Sequence, residues 1–378
     1  MNCFPTVQLG EVCERVSVGH VGTTTPYYCE NGIPFLRTQN VGVKQLLLED
    51  IKFITKDFHN KLRKSQVRPG DVLISRVISN TVNCAVVSED VGEANCANVI
   101  LVRPGPKLDA HFLKHFIASP ENQSNLLNNR VGSAQSVVNT SVLKGWEIPL
   151  PPLPEQKRIA AILDKADSIR RKRQEAVRLT EELLRSVFLD MFGDPVTNPK
   201  GWDVKPLCEL VNFTTGKLDS NAAVNGGAYP FFTCSRDDLQ IDTFAFDCEA
   251  LLLAGNNASA DYSVKHYKGK FNAYQRTYVI TMASPSLSYR YMQYALEMKL
   301  LDMKRLSKGT NTKYLTLGIL DELLFQVPDN VAQSKFEKII DKLNIIASKL
   351  RLAESVTDKS FSSLLQGAFR GELSDYVV

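Results

Sequence analysis

This chain repeats itself. Sliding the 378 residues by 177 positions lays "VGSAQSVVNTSVLKGWEIPLPPLPEQKRIAAILDKADSI" on "KGTNTKYLTLGILDELLFQVPDNVAQSKFEKIIDKLNII" without a gap. Gly132 then meets Gly309, Leu143 meets Leu320, Pro151 meets Pro328, Gln156 meets Gln333 and Asp164 meets Asp341. Upstream the copies align more loosely: "LGEVCERV" resembles "LCELVNFT", and "IPFLRTQN" resembles "YPFFTCSR". A period this long is duplication of a whole domain unit, not a solenoid of short repeats. Each copy reads as a mixed globular region followed by a long helix. The fold class expected is therefore α+β, with two mixed α/β regions separated by two long antiparallel coiled-coil helices under a pseudo-twofold internal repeat. The segments expected are 1–147, a proline ramp and helix over 148–193, a second globular region over 194–326, and a second helix over 327–378.

The helix signals recur in both copies. Four prolines (Pro149, Pro151, Pro152, Pro154) lead into the first helix, predicted to start at Pro154, where a missing N–H costs nothing. Gln156 stands where a capping-box side chain reaches back. In the second copy Asn330 is the expected N-cap, with Gln333 three positions later. Gly193 and Gly371 are the expected stops. Ile162, Ala166, Ile169, Arg173, Ala176, Thr180, Leu183 and Val187 follow steps of four and three. Ile339, Leu343, Ile346, Leu350, Ala353, Thr357, Ser360 and Leu364 do the same. This is the 3.5-residue period of a helical seam, and each helix of some 35 residues is about 50 Å long. Two such helices packed antiparallel make a rod with a globular region at each end.

Composition narrows the class. A net charge of +4 is compatible with nucleic acid without requiring it. No run of 18 apolar residues is present, and the N-terminal stretch has no basic-then-apolar leader pattern, so no membrane span and a cytoplasmic location are expected. Eight scattered cysteines without a CxxC pair read as free thiols. No phosphate-binding glycine loop, HExxH, GxSxG or N/D-P-P-Y/F motif occurs, so the chain is expected to catalyse nothing by itself. His111 and His115 lie four apart but lack a third ligand, and packing histidines are expected rather than a metal site.

These parts resemble the specificity (S) subunit of Type I restriction–modification systems. The resemblance covers nearly the whole chain. It is strongest at "IPLPPLPEQKRIAAILDKAD", similar to the central conserved region of that family. "ENGIPFLRTQNV", "RPGDVLISRV" and "FLKHFIAS" look like landmarks of its target-recognition domains, and "LLQGAFRGEL" resembles its closing helix. The second copy departs from the pattern, since "FQVPDNVAQSKF" keeps only Pro328 and Gln333. The resemblance implies a non-catalytic subunit in which each globular region reads half of a split double-stranded DNA target and the helices set the gap. It also implies docking of two methyltransferase subunits, which bring S-adenosylmethionine, and of restriction subunits, which use ATP and Mg. No cofactor is expected on this chain itself. Pro151, Gln156, Pro328 and Gln333 are the docking candidates. Two other classes stand beside this reading. A coiled-coil scaffold with no DNA role predicts no salt-dependent DNA affinity, and a stand-alone enzyme predicts turnover by the pure chain.

DNA-reading candidates follow from residue chemistry, because base edges take Arg, Asn, Gln and Ser while phosphates mostly take Lys and Arg. In the first region these are Arg37, Gln39 and Asn40 with Thr38, then Arg76, Asn80 and Asn83, then Arg130, Ser133, Gln135 and Ser136. Lys61, Arg63, Lys64 and Arg68 form a phosphate-facing strip. In the second they are Arg236 with Ser235, Asn256, Asn257, Gln275 and Arg276 with Tyr274, and Lys308, Asn311, Thr312 and Lys313. The run Arg170–Arg173 is either a solvated face or a stretch under the DNA.

Overall fold

A computed structural model of the chain describes residues 4–43, 45–76, 82–128, 138–235, 237, 239–257, 262–310 and 312–375. It divides into two compact units: residues 1–174 with 352–378, and residues 175–351. The division cuts each long helix (Leu153–Phe192 and Asn330–Arg370) rather than setting it apart.

In the first unit, a four-stranded sheet takes the order Cys13–Val18, Val99–Pro104, Val72–Ser75, Cys84–Val86. Beside it lies a five-stranded sheet containing Ile33–Arg37 parallel to Ala94–Ala97. In the second unit one six-stranded sheet does both jobs. Its ten-residue strand Val264–Ala273 pairs with Phe246–Ala254 along most of its length and with Tyr229–Phe232 in parallel at its end. The corresponding stretch of the first unit is broken by a short turn, Glu89–Val91.

The duplication extends to individual hydrogen bonds. The N–H of Leu9 donates to Trp146 O, and that of Leu207 donates to Leu323 O. Buried Asn95 and Asn272 each accept the next residue's N–H on Oδ1. The strands quoted for the loose upstream match, Ile33–Arg37 and Tyr229–Phe232, hold the same parallel pairing.

Within each unit the halves of the two long helices run antiparallel. In the first, Arg158 donates to Leu373 O, Arg170 lies 3.9 Å from Asp358, and Arg173 donates to Ala353 O. In the second, Arg351 pairs with Glu181 while Phe188 and Phe192 pack on Phe336. The seam keeps its period, and most of its expected positions are half-buried. The deepest burial falls on neighbouring positions, among them Ile159, Leu163, Leu184, Phe188, Phe192, Phe336, Ile340, Ala347, Phe361 and Leu365, whereas Ile169, Leu183 and Ile346 are 44–50% exposed. The deepest burial shifts because the helix ends pack into the globular cores, against the sheets' covering helices as well as against the other long helix.

The helix starts also differ from expectation. The first begins at Leu153, one residue early. In the second, Asp329 is the cap: its Oδ1 accepts from Ala332 N at 2.7 Å, and Asn330 is already helical. Gly193 (φ +79°) and Gly371 (φ +81°) follow the last helical turns in the left-handed conformation.

Candidate nucleic-acid interface

The proline ramp ends in a bracket. Gln156 is fully buried. A capping-box glutamine would accept the N–H of the residue before the helix, but that residue is Pro152, which has none. Its Oε1 instead accepts from Asp109 N (2.9 Å), and its Nε2 donates to Lys107 O and Pro151 O (both 2.9 Å). Asp109 is the N-cap of helix Ala110–Ile117 in the globular region. Gln333 repeats the arrangement, accepting from Ser288 N (2.8 Å) and donating to Pro328 O (2.8 Å), with Ser288 the N-cap of Tyr289–Met298. The four docking candidates are thus corrected. Pro151, Gln156, Pro328 and Gln333 are buried, and both glutamines spend their hydrogen-bonding groups inside their own unit.

A second tie follows one turn or two later. Asp164 accepts from His111 Nδ1 (2.8 Å), Lys114 Nζ (2.5 Å) and His115 Nε2 (2.8 Å). Burial alone would raise this carboxyl, but the three donors outweigh it and hold it well below the usual carboxylate range. Its repeat mate Asp341 accepts from Arg290 Nε at 2.9 Å. The His111/His115 pair therefore packs on a carboxylate. Among the described residues, no group of three or more His, Cys, Asp or Glu is set to hold a metal ion, no helix is long and apolar enough to cross a membrane, and no disulfide joins the described cysteines.

Anchored on these brackets, the second unit gathers most of its candidate readers. Asn256–Asn257 pairs antiparallel with Lys313–Tyr314, and Lys308 bridges Tyr314. Leu315 N donates to Gly255 O, and Gly255 N donates to Arg276 O (both 2.8 Å). One cluster thus holds Asn256, Asn257, Gln275, Arg276, Lys308, Thr312 and Lys313, with Gln275, Arg276, Lys308 and Thr312 exposed. Gly309 is required here: φ is +102°, and a Cβ would stand 2.1 Å from Thr312 O. Arg236 and Asn311 lie outside the described residues.

In the first unit Val138 N donates to Arg76 O at 3.1 Å, the repeat counterpart of the Leu315–Gly255 bond. The stretches that would match the second unit's cluster carry Asn80, Arg130, Ser133, Gln135 and Ser136, all outside the described residues. Arg37 and Gln39 meet at Asp50. Arg37 Nη2 donates to Asp50 O (2.9 Å) and Oδ2 (3.4 Å), and Gln39 Nε2 donates to Oδ2 (2.8 Å). Hydrogen bonding and charge from Lys52, with a contribution from Arg37, lower the Asp50 pKa. Asn40 is corrected: it is 1% exposed, accepts from Arg37 N and donates to Leu47 O, so it shapes the turn and has no edge left for a base. Asn83 likewise donates to Val41 O. Lys61, Arg63 and Lys64 are exposed and line a cleft with Gly19, His20 and Ser65. Much of the basic run on the first long helix is engaged within its own unit, with Lys172 left exposed. Arg170 and Arg171 pair with buried Asp167, Arg171 also donates to Gln45, and Arg173 donates to Ala353 O. Asp50 carried no signal in the sequence. It becomes visible only when the chain after Asn40 folds back on it.

A sequence profile described as "Type I restriction modification DNA specificity domain" matches the chain twice, over residues 3–179 and 199–355. The Type I restriction enzyme EcoDI specificity subunit of Escherichia coli is 36% identical over 180 residues, which are 47% of this chain and 39% of that protein. The MjaVIII specificity subunit of Methanocaldococcus jannaschii is 27% identical over 174 residues, 43% of this chain and 40% of that protein. The chain thus aligns with less than half the length of either relative. Among solved structures, a Type-I restriction-modification system S subunit from M. genitalium has a TM-score of 0.64 at 15% identity, over 98% of this chain and 97% of that one, which is a likeness of fold.

Proposed function

The chain belongs to the Type I restriction modification DNA specificity family, and from that premise we propose that it reads a split double-stranded DNA target, each unit contributing one half-site. The observation that carries this reading is one frame used twice with unlike loops. The same backbone bonds (Val138 N–H to Arg76 O, Leu315 N–H to Gly255 O) stand beside stretches whose sequences share little beyond Gly132 and Gly309. A conserved frame with divergent hydrogen-bonding loops is what two readers of different half-sites require.

In this reading Asn256, Asn257, Gln275 and Arg276 meet base edges, and Lys308 and Lys313 meet phosphates in the second unit. Arg37 and Gln39 meet base edges and Lys61, Arg63 and Lys64 meet phosphates in the first. The chain performs no chemistry and holds no cofactor. Two methyltransferase subunits supply S-adenosylmethionine and modify adenine, and restriction subunits supply ATP- and Mg-dependent cleavage. Because the glutamine brackets are sealed inside their units, partners dock on other faces.

The test is a long-read methylome of a methylation-free host carrying this chain with its neighbouring methyltransferase subunit, beside the methyltransferase alone. A new split motif with modified adenine is the expected result. Exchanging residues 1–147 for those of another family member then changes one half only. A stable complex that writes no motif, with DNA affinity insensitive to salt, points to a scaffold instead.

A further inference from the structure

We propose that Asp50 is a specificity-determining residue of the first unit: it presents Arg37 as a fixed reader of guanine and itself accepts from the paired cytosine. This deepens the DNA reading above and rests on it.

The placement comes from the backbone. Asn40 accepts Arg37 N–H on Oδ1 and donates to Leu47 O, while Leu47 N donates back to Asn40 O (2.9 Å). This folds the chain after Asn40 onto the end of strand Ile33–Arg37 and brings Asp50 beside the Arg37 guanidinium. The Arg37 side chain is only 20% exposed and its Nε is buried, so the stem is embedded and the head does not swing. Nη2 donates to Asp50, and Nη1 meets no acceptor among the described residues. Asp50 is 64% exposed, with Gln39 and Lys52 also on its carboxylate. The surface therefore offers an arginine donor next to a carboxylate acceptor, both held in place.

A G·C pair presents two acceptors, guanine N7 and O6, followed by the cytosine N4 donor in the major groove. The forward N–H groups of Nη1 and Nη2 followed by a carboxylate match that order, whereas an A·T pair presents acceptor, donor, acceptor. Fixing the arginine in advance also removes most of the ordering cost of the contact. A carboxylate near DNA repels phosphate, so Asp50 gives up general affinity in exchange for discrimination.

That exchange supplies a readout that a merely structural role would not move. Methylomes are recorded for the intact chain with its methyltransferase subunit as wild type, Asp50→Ala, Asp50→Asn and Arg37→Lys, and the purified complexes are compared by competition binding. With Asp50→Ala, one G·C position in one half-site becomes degenerate, discrimination there falls roughly five- to hundredfold, and binding to unrelated DNA tightens. Arg37→Lys degrades the same position, because a point charge cannot replace the planar fork. The other half-site stays unchanged. If Asp50→Ala is insoluble, Asp50→Asn and Arg37→Lys decide. An unaltered motif in those variants, or uniform weakening at every position, overturns the proposal. A wild type that writes no motif overturns the DNA reading and this proposal with it.

Discussion

At one place in the sheet the two units make opposite choices. The first sets Asp71 against Arg103, with Arg103 Nε and Nη2 each 2.7 Å from the carboxylate and both residues buried. The second unit, in the same register, has Ala250 and Thr281. A similar contrast runs along the helices: three donors converge on Asp164, but one arginine serves Asp341. The frame therefore depends on backbone pairing and on the glutamine brackets, which both units keep. The charge pairs filling it are optional. An ion pair sealed in a core adds little net stability over apolar packing, yet breaking it by half is costly.

That contrast can be broken experimentally, because each unit carries one tryptophan, Trp146 and Trp202, and unfolding can be followed separately in single-tryptophan variants. The largest effect expected is from Asp71→Ala, which strands the Arg103 guanidinium and costs the first unit about 3–5 kcal/mol. Importing the second unit's residues, Asp71→Ala with Arg103→Thr, should recover more than half of that loss in urea unfolding. A double variant as weak as the single one would show that the pair is not the cause.

Next come the brackets. Gln156→Ala leaves the Asp109 N–H without its acceptor and frees two carbonyls, for a loss of about 2–3 kcal/mol in the first unit. Gln333→Ala breaks two bonds rather than three and should cost about 1–2 kcal/mol in the second. Equal losses in both would contradict the bond count.

A smaller effect is tied to pH. Burial pushes the Glu297 carboxyl up to about 7 in the second unit. The folded state then holds this proton more firmly than the unfolded chain does. Its contribution is full below about pH 4.5 and is lost as pH rises through about 7. Glu297→Gln should stabilise the second unit by about 2 kcal/mol at pH 8 and by little at pH 4. Asp164 has the opposite sign. Its pKa is depressed, so its contribution is present above the unfolded carboxylate value near 4 and fades as pH falls below it. Asp164→Asn should flatten the acid limb of the Trp146 transition and leave Trp202 unmoved.

The duplication was legible because prolines, glycines and helix signals recur at one offset, and those residues act locally. The seam's period was legible for the same reason. Which positions sink deepest was not: Ile169 and Leu183 look like core and are half exposed, whereas Leu184, Phe188 and Phe192 are drawn into the second unit's core. Gln156 was recognised as special and misassigned, since its partners at Asp109 and Lys107 are some fifty residues away. The basic run was ambiguous because Asp167 lies on its own helix, but the contacts to Gln45, Asp358 and Ala353 come from far along the chain. Asn40 looked like a reader and is a turn brace, whereas Asp50, which holds two candidate readers, is one ordinary acidic residue beside Glu49.

The interleaved composition of the units has a consequence for synthesis. The second unit is one continuous stretch, residues 175–351, but the first waits for residues 352–378. On a ribosome adding 5–20 residues per second, the strands and helices of the first unit stand unfinished for roughly ten to forty seconds after Gln174 has been joined. During that interval Phe112, Phe116 and Leu163 lack the Phe361, Leu365 and Phe369 side chains that share their core. All residues of the second unit are therefore joined before the first unit has its last ones, and the second half of helix Asn330–Arg370 is the strap that closes a core begun some 200 residues earlier.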